Sequence, residues 1–159
     1  MDGISWYEAA AYCDWAGKSL PTVFHWRLAA RQSIFSEILL WSNFDARGPA
    51  PVGSYDGLGP HGTYDMAGNV REWCVNETRN GRLIRGGSWS DTTYMFNALS
   101  QLPPMDRSPQ NGIRCAHYPE PETIPEAAFA RVELAEGWNL DRVKPVSEEV
   151  FEVFKERFA

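Results

Sequence analysis

Apolar residues recur at helical spacing from the start of the chain: Trp6, Ala9, Ala10, Cys13 and Ala16 fall three to four positions apart between Ser5 and Gly17. Ser5 stands where an N-cap belongs, Glu8 completes a capping box, and Gly17 supplies a C-cap. The pattern predicts one short amphipathic helix with Cys13 on its buried face. Pro21-Thr22 is a second start signal, and Phe24, Trp26, Leu28 and Ala29 predict a second helix over 23–31. Periodicity then stops. From Trp41 to Gly62 the chain is rich in Gly, Pro, Asn and Asp, with one short apolar piece at Pro51-Val52-Gly53, which predicts loops long enough to have a job. Strand-like runs return at 82–89 and, behind the Asn111-Gly112 turn, at 111–118, and these two are expected to pair.

After Tyr118 the pattern changes. Pro119-Glu120-Pro121-Glu122 and Pro125 read as a stiff acidic link, and Ser147 onward as a capped helix with Val150, Phe151, Phe154 and Phe158 on one side. That stripe must pack on the domain or on whatever follows it. The expected division is a domain at 1–118, then at 119–159 an acidic linker and amphipathic helix leading to a further domain.

Composition narrows the class. A hydrophobic share of 43% in 159 residues supports one core, and seven Trp with 13 Gly and 11 Pro predict loop-rich structure pinned by large rings. Trp6, Trp15, Trp26 and Trp73 are expected in the core, and Trp89, beside a glycine bend, at a groove. A net charge of -6 argues against nucleic acid, whose binding rests on clustered Lys and Arg. No run of about 18 apolar residues exists and the opening carries acids, so no membrane partner is expected and a cytoplasmic setting is favoured. The abrupt opening helix suggests a piece of a longer protein. Asn76-Glu77-Thr78 matches the glycosylation sequon, which matters only in a secreted chain.

Asp65, Gly68, Val70 and Glu72 carry candidate metal chemistry, because two carboxylates flanking a Gly-Asn turn let hard oxygen ligands and backbone carbonyls converge on calcium. The competing reading is a metal-free turn in which the carboxylates accept from backbone amides. Cys13, Cys74 and Cys115 lack CxxC spacing, and His25, His61 and His117 stand apart, so zinc and thioredoxin-like chemistry find only weak support.

Four stretches in order carry a resemblance: Ile4-Ser5-Trp6-Tyr7-Glu8-Ala9-Ala10-Ala11-Tyr12-Cys13-Asp14-Trp15-Ala16-Gly17-Lys18-Ser19-Leu20-Pro21-Thr22; Tyr64-Asp65-Met66-Ala67-Gly68-Asn69-Val70-Arg71-Glu72-Trp73; Arg85-Gly86-Gly87-Ser88-Trp89; and Gly112-Ile113-Arg114-Cys115-Ala116. Together they resemble the formylglycine-generating enzyme (sulfatase-modifying factor) family over roughly residues 4 to 118. The likeness implies an α+β, C-type-lectin-like, loop-rich fold, here N-terminally truncated, because the family's first strands precede this opening helix. The stretches at 43–55 and 146–158 look closest to bacterial proteins in which such a domain sits between a Ser/Thr kinase and an α/β-hydrolase-like domain.

The resemblance also implies site chemistry. It gives calcium the side chains of Asp65 and Glu72 and the carbonyls of Gly68 and Val70. A second calcium site would draw on Asn43 and Phe44, but only Asp45 follows before Asp56, so that site is not expected. Cys13 and Cys115 match a disulfide of some members. The family oxidises a substrate cysteine to formylglycine with copper held by two cysteines after the Gly-Gly-Ser-aromatic bend. Here Asp91 and Phe96 stand there, and neither replaces a soft thiolate, so no copper is expected. Arg71 replaces the family's substrate-facing Trp. The leading reading is a calcium-stabilised, non-catalytic module of a larger protein, binding a peptide or small molecule in a groove around Arg71, Ser88, Trp89, Tyr94 and Arg107. Arg71 and Arg107 serve either an anionic ligand or surface ion pairs. The alternatives are a copper-dependent formylglycine-generating or related oxidase and a structural spacer between kinase and hydrolase domains.

Overall fold

The computed structural model describes residues 1–31, 37–134 and 146–158. Helix α1 spans Trp6–Trp15 and starts on the predicted capping box: Ser5 accepts from the Glu8 amide, and the Glu8 carboxylate accepts from Ser5. The chain leaves it through Gly17 at φ 65°. Helix α2, Val23–Ala30, is capped by Thr22, whose hydroxyl accepts from the His25 amide. Its buried face is Val23, Trp26 and Ala30, so Phe24 and Leu28 point to solvent instead.

Four strands form one sheet: β1 (Arg71–Glu77), β2 (Arg82–Arg85), β3 (Ser100–Leu102) and β4 (Asn111–Gly112), ordered β3-β2-β1-β4. The architecture is α+β, with helices and a small mixed sheet joined by long loops. The expected pairing of 82–89 with 111–118 does not occur. β1 lies between them, antiparallel to β2 through Glu72, Trp73 and Glu77, and parallel to β4 through Arg71 and Glu72. Behind β4 the final run makes only a bridge from Ala116 to Ser19.

Alternation along the strands builds a core on each face of the sheet. Trp73 and Ile84, register partners, join Ala9, Cys13 and Leu20 on the α1 side. Cys74 and Leu83 join Val23, Trp26, Ala30, Met66 and Phe96 on the α2 side. Trp73 donates to the Ile4 carbonyl (2.9 Å) and Trp6 to the Cys74 carbonyl (2.8 Å), so the polar edge of each ring is satisfied where its body is packed. Trp15, expected in the core, is 80% exposed: α1 buries Ala9 and Cys13, and Trp15, two positions past Cys13, turns to the opposite side. The charged surface of the sheet is stitched as well, since the Arg82 guanidinium lies 4.0 Å over the Trp6 ring.

From Pro119 to Leu134 the chain stays on the domain. Two short 3-10 turns, Pro121–Thr123 and Glu126–Ala128, lead to Val132 and Leu134, which pack on the α2-side core. Asn76, fully buried in β1, holds this segment and accepts from the Val23 amide at the start of α2. Its amide is therefore committed inside the molecule, closed to the glycosylation its sequon suggests. The helix at Glu148–Phe158, α3, presents Val150, Phe151 and Phe154 at 43 to 55% exposure; the Phe158 side chain and the linker positions 135–145 lie outside the described residues.

Cys13 and Cys115 form a disulfide with their Cα atoms 5.6 Å apart, closing a separation of 102 residues. Cys74 is free and buried. Thiol titration of denatured, unreduced protein is expected to count one thiol per chain. Cross-linking so long a loop restricts the unfolded chain by about 4 to 5 kcal/mol in the chain-entropy account, and Cys115→Ser is expected to lose about 2 to 5 kcal/mol in urea unfolding. Three titratable thiols would refute the bond.

Candidate functional site

The segment 64–72 is a tight loop before it is a site. Asp65 and Asn69 hold φ near +57° and +59°, a region Asp and Asn tolerate better than most residues. Gly68, at φ +69°, has no room for a side chain, because a Cβ would come within 2.4 Å of the Asn43 carbonyl oxygen. The Asn69 amide donates to that carbonyl at 2.9 Å, and the Gly68 amide to Gly86 at 2.9 Å. Three remote segments thus meet at this turn.

Its carboxylates have different occupations. Asp65 Oδ2 accepts from the Gly53 amide (2.8 Å). Glu72, only 3% exposed, accepts from Trp26 Nε1 at 2.6 Å and from Arg114 through Nε (2.8 and 3.0 Å) and Nη2 (2.7 Å). Arg114 Nη2 also donates to the Tyr64 carbonyl, bracing both ends of the loop. The Glu72 charge holds the Arg114 guanidinium protonated above its ordinary range, against the opposing effect of burial.

Asp65, Glu72 and the carbonyls of Gly68 and Val70 form an oxygen-only set, the chemistry that a hard cation takes. Against the same turn lies the fully buried Asn43, whose Oδ1 has no hydrogen-bond partner. The donor types fit calcium, with Glu72 as the contested member, because a cation there would share its carboxylate with Arg114 and Trp26. Among the described residues no group of three or more His, Cys, Asp or Glu side chains gathers around one point.

The second cluster lies on the bend that follows β2. Gly87 is at φ +72°, where a Cβ would strike the Phe44 ring at 2.8 Å. The bend delivers Ser88, Trp89 and Asp91. Arg71, at the start of β1, grips Asp91 with two parallel bonds, Nε to Oδ2 at 2.9 Å and Nη2 to Oδ1 at 2.7 Å. The Ser88 hydroxyl (2.8 Å) and amide (2.9 Å) donate to the same Oδ2. Burial raises the affinity of Asp91 for a proton, but the bonds from Arg71 and Ser88 and the charge of Arg71 outweigh it and hold the carboxyl below its usual range.

The structure thus brings Arg71 and Ser88 together on Asp91 and places Trp89 beside them, its buried Nε1 without a partner. Tyr94, on a 3-10 turn over Thr93–Phe96, is 79% exposed. Arg107 is committed to Glu8 on α1. Both arginines are therefore engaged with carboxylates. Phe96 is fully buried against Trp26, ring centroids 6.2 Å apart. The buried Cys74 thiol is pushed far above its ordinary range, chiefly by burial, and stays neutral. Sequence reading had no route to Asp91 as the partner of Arg71, twenty residues away, or to Trp26 and Arg114 as the partners of Glu72.

Known proteins resemble this chain over the same region. The family model for the sulfatase-modifying factor enzyme 1-like domain matches residues 1–119. The inactive C-alpha-formylglycine-generating enzyme 2 of Bos taurus is 32% identical over 71% of this chain and 48% of its own length. The serine/threonine-protein kinase pkn1 of Chlamydia caviae is 42% identical over 72% of this chain and 20% of its own. The formylglycine-generating enzyme of Streptomyces coelicolor is 31% identical over 72% of this chain and 51% of its own. The chain spans about half the length of the first curated relatives it matches. Among solved structures, Treponema denticola variable protein 1 shares the fold, with a TM-score of 0.54 at 23% identity over 62% of this chain and 47% of its own.

Replacing Asp91 tests the second cluster. Because its folded pKa lies below the unfolded value near 4, the stability it contributes is fully present above about pH 4 to 5. That contribution fades as pH falls through the folded value. The melting-temperature gap between wild type and Asp91→Asn is expected to be widest near pH 7 and to narrow as pH falls below about 4. A gap independent of pH would refute the ion pair.

Proposed function

The chain belongs to the sulfatase-modifying factor enzyme 1-like domain family, and from that membership we propose that it is a non-catalytic, ligand-binding or regulatory module of a larger multidomain protein. The observation that carries this reading is the closed Arg71–Asp91–Ser88 cluster. At the place where the family resemblance would put one copper-binding thiolate, a carboxylate is saturated by a guanidinium and a hydroxyl. At the other, Phe96 is packed in the core. Soft-metal oxidation chemistry has no ligands in this arrangement. Relatives named as inactive and a relative named as a protein kinase support the same reading.

With Arg71 and Arg107 neutralised, an anionic ligand is disfavoured. The surface left for a peptide or small molecule is that of the partly covered Trp89 ring and the exposed Tyr94. Aromatic surface beside closed ion pairs suits a neutral ligand. Other domains of the same protein are the natural partners. We read the fold as C-type-lectin-like, and calcium as a stabiliser held by Asp65, the Gly68 and Val70 carbonyls and Glu72.

Two measurements test the proposal. Incubated with cuprous ion, oxygen and a Cys-x-Pro-x-Arg peptide, the protein is expected to yield no formylglycine by mass spectrometry, and formation of the aldehyde would establish the oxidase alternative. Chelator-treated protein titrated with calcium is expected to release or absorb heat and to melt higher, by an amount corresponding to about 2.7 kcal/mol at a hundredfold excess over Kd. Neither heat nor a shift would remove calcium from the account. Absence of any ligand-induced change in the difference of tryptophan emission between wild type and Trp89→Phe would favour the spacer alternative.

A further inference from the structure

The far end of β1 carries a second constellation. Asn76 lies five positions from Arg71, about 17 Å along the strand, and is fully buried. A buried amide must place two N–H donors and an acceptor oxygen. Asn76 Oδ1 accepts from the Val23 amide at 2.7 Å, and Nδ2 donates to the carbonyls of Ala128 (2.9 Å) and Ala130 (3.0 Å). One residue on, the Glu77 carbonyl accepts from the Val132 amide at 2.8 Å, and the Glu77 carboxylate lies 3.5 Å from Arg131. Val132 and Leu134, two apart, set their side chains on the α2-side core.

These are the elements of peptide capture: donors aimed at backbone carbonyls, continuation of main-chain pairing from a strand end, apolar contacts for alternate side chains and a rim charge. The bound segment has the features of a ligand. Apart from two 3-10 turns it has no regular structure of its own, and most of its side chains from Pro121 to Arg131 face solvent. It lies beyond the region that the family model matches, residues 1–119.

We infer that the seam formed by Asn76, Glu77 and the start of α2 is a peptide-binding site, occupied in cis by residues 128–134. The occupant it fits is a segment presenting two backbone carbonyls to Asn76, then an Arg and two aliphatic residues at alternate positions, as in Arg131-Val132-Glu133-Leu134. Carbonyl recognition is indifferent to sequence, so the aliphatic pair and the Arg opposite Glu77 set the selectivity. The site is independent of the Trp89 groove and stands whether or not that groove binds anything.

The full chain tests it in two ways. In hydrogen exchange on wild type, the Val132 amide, which is bonded to the Glu77 carbonyl, is expected to exchange at least tenfold faster than the amides of β1, showing release of the segment without unfolding. In fluorescence polarisation, a labelled peptide of residues 126–134 is expected to bind the Val132→Asp chain at least tenfold more tightly than wild type, whose own segment competes. The same peptide carrying Asp at both aliphatic positions should not bind. In Asn76→Asp, which keeps the acceptor for Val23 and removes both donors, exchange in 128–134 should accelerate while α2 stays protected. Exchange of the Val132 amide at the rate of β1 in wild type would overturn the inference, and decides the matter even if Val132→Asp does not fold. Equal peptide affinity for wild type and Val132→Asp would overturn it as well.

Discussion

A carboxylate taken out of water has to be neutralised and hydrogen-bonded, or the fold around it does not form. Glu72 sets that condition here. Its partners come from three separate regions: Trp26 from α2, Arg114 from the segment after β4, and, through Arg114, the Tyr64 carbonyl at the mouth of the loop. Trp26 in turn is the largest ring of the α2-side core, with Phe96 against it. Satisfying one buried charge therefore fixes where α2 lies on β1, how the 64–72 loop closes and where the last part of the domain passes. Most of the surrounding structure is loop, and a loop-rich domain needs such fixed points because its backbone offers few ladders of its own.

The same logic governs the two arginines, Arg71 and Arg107. Arg71 sits where a ligand could meet it, yet its guanidinium is matched to Asp91 by two parallel bonds and Asp91 is matched again by Ser88. Arg107 is matched to Glu8 at the α1 capping box. Arg71 and Arg107 are thus both answered within the chain. What remains exposed here is aromatic ring area, a different surface from the cationic patch that the bare presence of two arginines suggests.

β1 is the strand on which these demands are placed. Arg71 begins it, Glu72 and Trp73 sit on its buried faces, Asn76 ends its buried run, and the sheet order puts it between β2 and β4. A strand with polar groups at so many buried positions is held by the specificity of its partners rather than by apolar burial alone. That is why both proposed recognition surfaces lie at its two ends, where the ladder stops and side chains must complete the hydrogen bonding.

Local chemistry made much of this legible. The Ser5–Glu8 capping box and the Thr22 cap defined the starts of α1 and α2, since capping depends only on residues three apart. The glycine bend at 86–87 and the loop character of 41–62 followed from composition, and the ordered motifs identified the family. Tertiary structure decided the rest. β1 was hidden inside a segment that reads as a metal-binding turn, and its insertion between β2 and β4 displaced the pairing that the two evident strand runs suggested. Trp15 went outward because only the narrow Ala9–Cys13 face of α1 is covered. The pairings of Arg71 with Asp91, Glu72 with Trp26 and Arg114, and Asn76 with the 128–130 backbone span 20 to 54 residues. Periodicity and spacing report what a residue does to its neighbours in the chain. The neutralisation of buried charge is settled between residues that only the fold brings together.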